Sequence, residues 1–454
     1  MKQSLTKREL ITVGFMFFAL FLGAGNIIFA PFLGQTAGEN TWIAISGFLI
    51  TGVGLTFLSI LALSISGGKS ENIANHVHPL FGFLFTIALY LILGPIFAIP
   101  RTAAVIHEIV VVPNLSTGLE NSALLISSTV LLIISLFLSL NPSKLVDRFG
   151  KVLVPVLLVV LVSLITKSII TPMGEIGEAQ NGYEFHPFSM GFLEGYNTMD
   201  VLAAFIFAPI LLSSLKNLGI TEAKWATKIS IKAGIIASLG LAFVHISLSY
   251  IGASSLQAIG VSGNGGEILA QSARYLYGGL GSLLLGIIIL CAGLTTAIGL
   301  IVTSAEYFNR INPKISYKAY VIIITFVSLL ITNLGLEQII SISTPVLVML
   351  YPLAISLVVL RLTHKVFNGY RPVYIGGVTG AGILGVVYAL KEIGIGAEVF
   401  DSIFGFLPFY SQGLGWAVPM LFGGVTGYIF AIIKSSPEYS GYEQVLDSQS
   451  KEVI

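Results

Sequence analysis

The sequence predicts an all-α polytopic membrane protein with about 12 transmembrane helices, in which a five-plus-five inverted repeat is followed by two extra C-terminal helices. The first observation is composition, because 55% of the 454 residues are hydrophobic and 10% are charged, whereas a soluble protein carries about 25% charged residues. The second is a set of apolar runs that reach the roughly 20 residues needed to cross a bilayer. The third is that two of these runs contain residues that interrupt a helix near their centres.

The apolar runs define the predicted order of the chain. Twelve runs are found, at 10–34, 41–66, 80–111, 122–140, 149–170, 198–216, 229–254, 279–305, 319–334, 338–360, 372–390 and 414–433. They divide the chain into a first repeat (1–170), a loop (171–197), a second repeat (198–360), two further spans (361–434) and a polar tail (435–454). A short amphipathic helix is also expected at 263–277, before the eighth span.

The lysines and arginines predict the orientation of these spans. If the N-terminus is cytoplasmic, the cytoplasmic segments hold 19 of the 23 Lys and Arg residues, as the positive-inside rule requires. An even number of spans then returns the C-terminus to the cytoplasm. The net charge of +1 gives no indication of nucleic-acid binding.

The first predicted interruption lies in the stretch Phe21-Leu-Gly-Ala-Gly-Asn-Ile-Ile28. Glycine weakens a helix, and a loosened backbone within a membrane is tolerated only where it is buried in protein or lines a cavity. A Gly-interrupted span therefore points to the binding site of a transporter. The alternative is close helix packing through small residues.

The second predicted interruption is Pro209, near the middle of the sixth span. Proline lacks an amide donor and clashes with the preceding turn. Spans one and six start from opposite sides of the membrane, so that two five-span halves have inverted topology. Matched interruptions in inverted halves indicate a site at the midplane, although a proline kink without function is the alternative.

Broken helices can bind a zwitterion without charged side chains. A half-helix N-terminus offers amide donors to a carboxylate, and a half-helix C-terminus offers carbonyl oxygens to sodium or an ammonium group. We therefore expect the two broken spans to carry no charge at their centres.

Two further pairs of polar residues lie within the apolar runs. Thr295 and Thr296, in the eighth span, supply hydroxyl oxygens that suit a hard cation, or they bond back to their own helix. Arg101 and Glu108, in the third span, form a candidate gate, or they mark the outer end of a long span with Arg101 snorkelling. The absence of other carboxylates from span centres favours sodium over protons as the coupling ion.

These stretches resemble the bacterial branched-chain amino-acid:cation symporters, the BrnQ-type carriers, over about residues 6–434. The resemblance is carried by Phe21–Phe29, Ile99–Ala104, Gly195–Asp200 and Leu294–Leu300. It implies the fold of the sodium-coupled amino-acid symporters and a location in the bacterial cytoplasmic membrane. One departure is that Ala208-Pro209 follows Phe207, where the family usually has Gly.

The resemblance also implies residues for the site. Sodium would lie between the backbone carbonyls of Ala19 and Leu22 and the hydroxyls of Thr295 and Thr296, and Asn26 matches a position that helps a second sodium in some relatives. Substrate would contact two groups of residues, which are Gly23, Ala24, Gly25 and Asn26 in span one and Phe205, Ile206, Phe207 and Ala208 in span six.

The leading interpretation is a sodium-coupled secondary transporter that imports leucine, isoleucine and valine by alternating access. One alternative is a proton-coupled or exchange transporter of another neutral amino acid. A second is a non-transporting membrane sensor. An enzyme is not expected, because the sequence has no cluster of reactive side chains. Sodium, the amino acid and the lipid bilayer are the expected partners, and the oligomeric state is left open.

Overall fold

A computed structural model of the chain describes residues 3–115, 120–140 and 145–434. Every regular element in that part of the chain is helical. The first nine α-helices are α1 Lys7–Phe21, α2 Phe29–Ala37, α3 Thr41–Leu49, α4 Thr56–Ile65, α5 Ser70–Ala74, α6 Pro79–Leu91, α7 Ala98–Ile106, α8 Glu120–Ser139 and α9 Leu145–Ile170. They are followed by α10 Pro187–Glu194, α11 Asp200–Asn217, α12 Ala223–Ile259, α13 Gly265–Tyr277, α14 Gly279–Ile311, α15 Tyr317–Thr332, α16 Leu336–Leu362, α17 Arg371–Glu392, α18 Ala397–Phe404 and α19 Ala417–Ile433.

These helices agree with the predicted apolar runs. Within the described residues, eight helical stretches are long and apolar enough to cross a membrane, and three shorter apolar helices accompany them. Each of the twelve predicted runs is helical over most of its described length. The all-α polytopic architecture is therefore confirmed, and so is the short helix before the eighth span, which is α13. The number of crossings and their orientation remain predictions, and the polar tail lies outside the described residues.

The first predicted interruption is present in the structure. A Thr6–Glu9 capping box begins α1, which ends at Phe21, and α2 begins only at Phe29. Residues 22–28 form turns between the two helices, and we call this segment the first break. Its two glycines and one asparagine have low helix propensity, so the sequence itself accounts for the position of the break.

The predicted interruption at Pro209 is wrong, because α11 runs from Asp200 to Asn217 as one helix with Pro209 inside it. The carbonyl oxygen of Phe205 has no amide partner at Pro209, but the hydroxyl of Ser70 donates a hydrogen bond to it at 2.5 Å. Side-chain hydroxyls are a known means by which a membrane helix accommodates proline. The sixth span is interrupted earlier, at residues 195–199, which we call the second break.

Close helix packing fixes both breaks in the molecule. A Cβ at Gly34 of α2 would overlap the Ser249 carbonyl of α12, and a Cβ at Gly252 would overlap the Pro31 carbonyl. The helices beside the second break pack equally closely, because a Cβ at Gly191 of α10 would overlap the Ala44 carbonyl of α3. Small residues that let helix backbones touch are typical of membrane interfaces, and here they hold the segments that flank the breaks.

Candidate functional site

The first break frees two backbone carbonyls at the end of α1. The amide of Gly23 donates to Phe21 O at 3.0 Å, and the amide of Asn26 donates to Gly23 O at 3.0 Å. In a regular α-helix these two amides would bond to the carbonyls of Ala19 and Leu22, four residues earlier. Both carbonyls thus lose their helical donors, and they are the two that the family resemblance assigns to sodium.

Helix α14 brings the predicted threonines towards the first break. A Cβ at Gly23 would lie 3.4 Å from Thr296 Oγ1, so this hydroxyl faces the broken backbone. The hydroxyls of Thr295 and Thr296 donate to Ala292 O at 2.8 and 3.0 Å, which is the back-bonding considered as the alternative. A hydroxyl that donates its proton keeps its lone pairs, so these oxygens still suit a cation.

The second break is a 3₁₀ turn, Gly195–Thr198, followed by Met199 in the left-handed region with φ of 60°. The hydroxyl of Thr198 donates to Gly195 O at 2.9 Å and accepts from the amide of Asp200 at 3.3 Å. A positive φ is uncommon for a residue with a side chain, and such strain is concentrated at functional sites.

The two breaks are joined by a network of buried polar side chains. Asn26 Nδ2 donates to Asp200 Oδ1 at 2.6 Å and to Phe21 O at 2.9 Å. Arg101 Nη2 donates to Asn26 Oδ1 at 3.4 Å, and Nη1 donates to Asn197 O at 2.6 Å. Asn26, from the first break, therefore contacts both Arg101 of α7 and Asp200, the first residue of α11 after the second break.

This network contradicts the expectation that the broken spans carry no charge at their centres. Asp200 and Arg101 are each 2% exposed, and the helical stretch that holds Asp200 extends over Pro187–Asn217. The apolar run in the sequence begins only at about residue 198, which placed Asp200 at its edge. The argument against proton coupling that relied on missing carboxylates therefore no longer holds.

The predicted substrate residues lie in two separate environments. Gly23, Ala24, Gly25 and Asn26 form the centre of the first break, and Gly25 is the residue against which Arg101 packs, since a Cβ there would lie 3.2 Å from Nε. In α11, Phe207 stacks edge-to-face on Phe21 with centroids 5.8 Å apart. Phe205 packs instead on Phe85 of α6. Phe205, Ile206, Phe207 and Ala208 are all buried.

The structure separates the two residues of the candidate gate. Arg101 reaches the breaks and its guanidinium lies 4.9 Å from the centroid of the Phe29 ring. Glu108 lies in a π-helical turn, His107–Val111, where its Cβ is 3.5 Å from the position of a Cβ at Gly266 of α13. Arg101 is buried rather than snorkelling, and a gating role for either residue remains a prediction.

Sequence reasoning missed the residues of the second break. Besides Thr198 within the break, it missed the two carboxylates that flank the break, Asp200 and Glu194. Glu194 Oε2 accepts from Asn197 Nδ2 at 3.3 Å. The available signal was the polar cluster Glu194-Gly-Tyr-Asn-Thr-Met-Asp200, of which Gly195–Asp200 served only as a mark of family resemblance. Gly, Asn, Thr and Asp favour turns and helix starts, so this cluster predicts a break better than the lone Pro209 does.

Comparison with known proteins identifies the family. The family model described as "Branched-chain amino acid transport protein" matches residues 6–434. The chain belongs to this family. Among its members, the branched-chain amino acid permease BraB of Bacillus subtilis is 45% identical over 433 residues, which cover 95% of this chain and 97% of BraB. The permeases BrnQ of Bacillus subtilis and BrnQ of Escherichia coli K12 are 43% and 38% identical, over 96% and 92% of this chain and 99% and 94% of their own lengths.

Two solved structures of other transporters share the fold of this chain. Mhp1, a nucleobase-cation-symport-1 family transporter with bromovinylhydantoin bound, superimposes with a TM-score of 0.63 at 13% identity over 96% of this chain and 95% of Mhp1. MhsT in complex with L-phenylalanine gives 0.56 at 15% identity over 94% of this chain and all of MhsT. Family membership shows that the chain is a multi-pass membrane transport protein, not an enzyme, and these two structures show its fold.

Proposed function

We propose that this protein is a sodium-coupled secondary transporter that imports leucine, isoleucine and valine by alternating access. Its family membership supports the substrate class, because the relatives named above are branched-chain amino acid permeases. The observation that carries the coupling proposal is the first break, where the Gly23 and Asn26 amides turn away from the carbonyls of Ala19 and Leu22.

Sodium suits the donors that surround this part of the break. Sodium is a hard cation that prefers oxygen ligands, as calcium and magnesium do, and unwound carbonyls at a half-helix end are a recurrent sodium site in transporters. The Ala19 and Leu22 carbonyls supply two such oxygens, and the hydroxyls of Thr295 and Thr296 supply two more. Because Thr296 lies close to Gly23, a sodium ion bound by its hydroxyl would link helix α14 to the broken first span.

The substrate would lie between the two breaks. Its backbone would contact residues 23–26, and its branched side chain would pack on the apolar face of α11 formed by Phe205, Ile206, Phe207 and Ala208. The Phe21–Phe207 contact links α11 to the end of α1, so an apolar substrate side chain there would contact both broken spans. In the proposed cycle, one helix bundle moves around this site while both termini face the cytoplasm of a bacterial cell.

A proton-coupled mechanism is the second candidate, and one observation favours it. Asp200 is 2% exposed, directly follows the second break and accepts a hydrogen bond from Asn26 of the first break, and buried carboxylates of this kind serve as proton relays in membrane transporters. A sodium site built from carbonyls and hydroxyls requires a sodium gradient to drive uptake, whereas a proton site at Asp200 requires a proton gradient.

Uptake into proteoliposomes distinguishes these candidates. Labelled leucine uptake is measured with an inward sodium gradient and with choline in its place, each with and without an inward proton gradient. We expect uptake that needs sodium and is little changed by the proton gradient. Uptake that is unaffected by removing sodium would contradict sodium coupling, and dependence on the proton gradient alone would support the second candidate. Competition by a panel of unlabelled amino acids then tests the substrate class.

A further inference from the structure

Arg101 and Asp200 are opposite charges that meet through one amide group. Asn26 donates to Asp200 Oδ1 at 2.6 Å and accepts from Arg101 Nη2 at 3.4 Å. The Arg101 guanidinium is also held in place by Asn197 O and by the ring of Phe29. The two charges are thus kept close to each other, at fixed positions, and next to the first break.

Each of these side chains has one polar atom without a partner in the described structure. Arg101 Nε and Asp200 Oδ2 are buried and form no hydrogen bond with residues 3–115, 120–140 or 145–434. Leaving a buried donor or acceptor unsatisfied destabilises the folded protein, and more so when the group is charged. An unsatisfied pair of opposite charges side by side needs an explanation, and a ligand that supplies both missing partners is one.

The two orphaned atoms define the ligand chemically. Arg101 Nε is a charged donor that an anion satisfies best, and Asp200 Oδ2 is a charged acceptor that a cation or a charged donor satisfies best. A cation alone would satisfy Asp200 but would lie close to the Arg101 guanidinium, and an anion alone would meet the converse problem. An α-amino acid zwitterion carries a carboxylate and an ammonium on one carbon, so it satisfies both groups without adding net charge.

Gly25 is the residue of the first break that lies against the orphaned atom of Arg101. A Cβ at this position would lie 3.2 Å from Nε and 3.6 Å from Nη2, so the edge of the guanidinium that carries the orphaned Nε faces the bare Cα of the first break. The substrate backbone was already expected to contact this segment.

We propose that Arg101 binds the α-carboxylate of the transported amino acid through Nε, and that Asp200 binds its α-ammonium group through Oδ2. The inference rests on the proposed function in that it takes an amino acid as the substrate. It adds to that proposal a recognition of both charged ends by side chains, where the sequence had led us to expect backbone dipoles alone. Asn26 is then a positioning residue that sets the separation of the two charged groups.

Binding of single-ended analogues tests this assignment. Purified protein in detergent, at constant sodium and neutral pH, is titrated with leucine, with leucinol, which has lost the carboxylate, and with 4-methylpentanoate, which has lost the ammonium. Each is measured by displacement of labelled leucine, in the wild type and in Asp200→Asn and Arg101→Gln. Asp401→Asn is the control, because Asp401 is an exposed residue that pairs with Lys391 outside the predicted site.

The two variants should differ in which analogue they bind as well as the wild type does. A charge-assisted hydrogen bond contributes about 1.5–3 kcal/mol, so each variant should weaken leucine binding about 10- to 100-fold. The wild-type protein should likewise bind leucinol and 4-methylpentanoate about 10- to 100-fold more weakly than leucine. Asp200→Asn should then bind 4-methylpentanoate within about twofold of the wild type, and Arg101→Gln should bind leucinol within about twofold, since the lost contact is one that the analogue cannot make. The control should bind all three like the wild type.

Other outcomes overturn the assignment. If each variant weakens all three ligands by the same factor, the network is structural. If Asp200→Asn binds leucine normally and loses only its ion dependence, Asp200 is a coupling site and not an ammonium site. Should Asp200→Asn not be recovered as folded protein, Arg101→Lys keeps the charge but loses the planar donor, and it should weaken leucine and 4-methylpentanoate while sparing leucinol; equal losses would count against the proposal.

The same titration separates this inference from the proposed function. Wild-type protein that binds no branched-chain amino acid contradicts the proposed substrate. Wild-type protein that binds leucine equally well without sodium contradicts the coupling but leaves the roles of Arg101 and Asp200 to be decided by the analogues.

Discussion

The hydroxyl of Ser70 donates to the carbonyl oxygen of Phe205 at 2.5 Å, across 135 positions of the chain. This carbonyl is the one that a helix would normally pair with the amide of residue 209, and that residue is Pro209. Ser70 is the first residue of the short helix α5 and is buried. One hydroxyl from a connecting segment thus supplies the hydrogen bond that proline removes, and α11 continues without a break.

This relationship predicts the result of a double-mutant cycle between Ser70 and Pro209. Ser70→Ala leaves the Phe205 carbonyl buried without a donor, so it should destabilise the protein by about 1–3 kcal/mol. Pro209→Ala restores a backbone amide that can reach this carbonyl. In the Pro209→Ala background, Ser70→Ala should therefore cost less than about half as much. Thermal unfolding in detergent measures each variant.

The control for this cycle is Ser328→Ala in α15, a buried serine whose hydroxyl donates to Ile324 O of its own helix at 2.8 Å. Its cost should be the same with Pro209 and with the alanine variant. Additive effects of Ser70→Ala and Pro209→Ala, within about 0.5 kcal/mol, would contradict the idea that the serine substitutes for the missing amide.

Thr296→Ala is expected to affect sodium more than leucine. The substitution removes the hydroxyl oxygen that faces Gly23, so half-maximal uptake should need about 10-fold more sodium, as expected when one ligand of a cation is lost. At saturating sodium, the leucine concentration for half-maximal uptake should change by less than about threefold.

Thr303→Ala is the matched control for that variant. Thr303 lies on the same helix, and its hydroxyl also bonds back, to Gly299 O at 2.7 Å, so it reports the cost of losing a helix back-bond alone. Its sodium requirement should match the wild type. If Thr296→Ala weakens leucine recognition more than it raises the sodium requirement, Thr296 is not a sodium ligand.

Gly25→Ala should impair leucine binding by displacing Arg101. The added Cβ would lie 3.2 Å from Arg101 Nε, which is tighter than ordinary contact, so the guanidinium must move away from the first break. We expect affinity for leucine to fall about 10-fold or more, since small displacements in a buried polar site remove charge-assisted bonds. Gly299→Ala adds a Cβ that meets no heavy atom within 4 Å and should bind leucine normally. Equal affinities for Gly25→Ala and the wild type would show that Arg101 can be displaced without consequence.

Different physical signals explain which parts of the site could be predicted from the sequence. The first break is local, because Gly23, Gly25 and Asn26 weaken the helix at the place where it ends, and so the sequence predicts it correctly. Pro209 is also a local signal, but its effect is cancelled by Ser70, a residue that is distant in sequence. The contribution of a distant donor cannot be read from the residues around a proline.

The charges at the site were missed for a related reason. Asp200 follows a polar loop in the sequence, and hydropathy therefore places it at the margin of a span. In the structure α10 continues the sixth span on the other side of Asp200. Asp200 therefore lies within the helical stretch and not at its end. The fold class needs only composition and the length of apolar runs, whereas the depth of one carboxylate depends on which helices pack around it.

Acid should destabilise the protein through a pair of histidines outside the spans. His76 and His364 have ring centroids 5.6 Å apart, and His364 Nδ1 is 2.8 Å from the Tyr374 hydroxyl. Burial, then His364 and Arg361, lowers the pKa of His76 to about 4. Burial, then Arg361, lowers the pKa of His364 to about 4. In an unfolded chain the histidine pKa is about 6.5.

The protein should lose stability as pH falls, because both histidine pKa values are lower in the folded protein than in the unfolded chain. Above pH about 6.5 both states hold neutral histidines and the full stability is present. Between that pH and about 4, the unfolded chain binds protons that the folded protein cannot, so stability falls as pH falls. The melting temperature in detergent should therefore decline from pH 7.5 to 4.5 more steeply for the wild type than for His76→Gln. His186→Gln, at an exposed loop histidine, should follow the wild type, and parallel declines for all three proteins would exclude the buried pair as the cause.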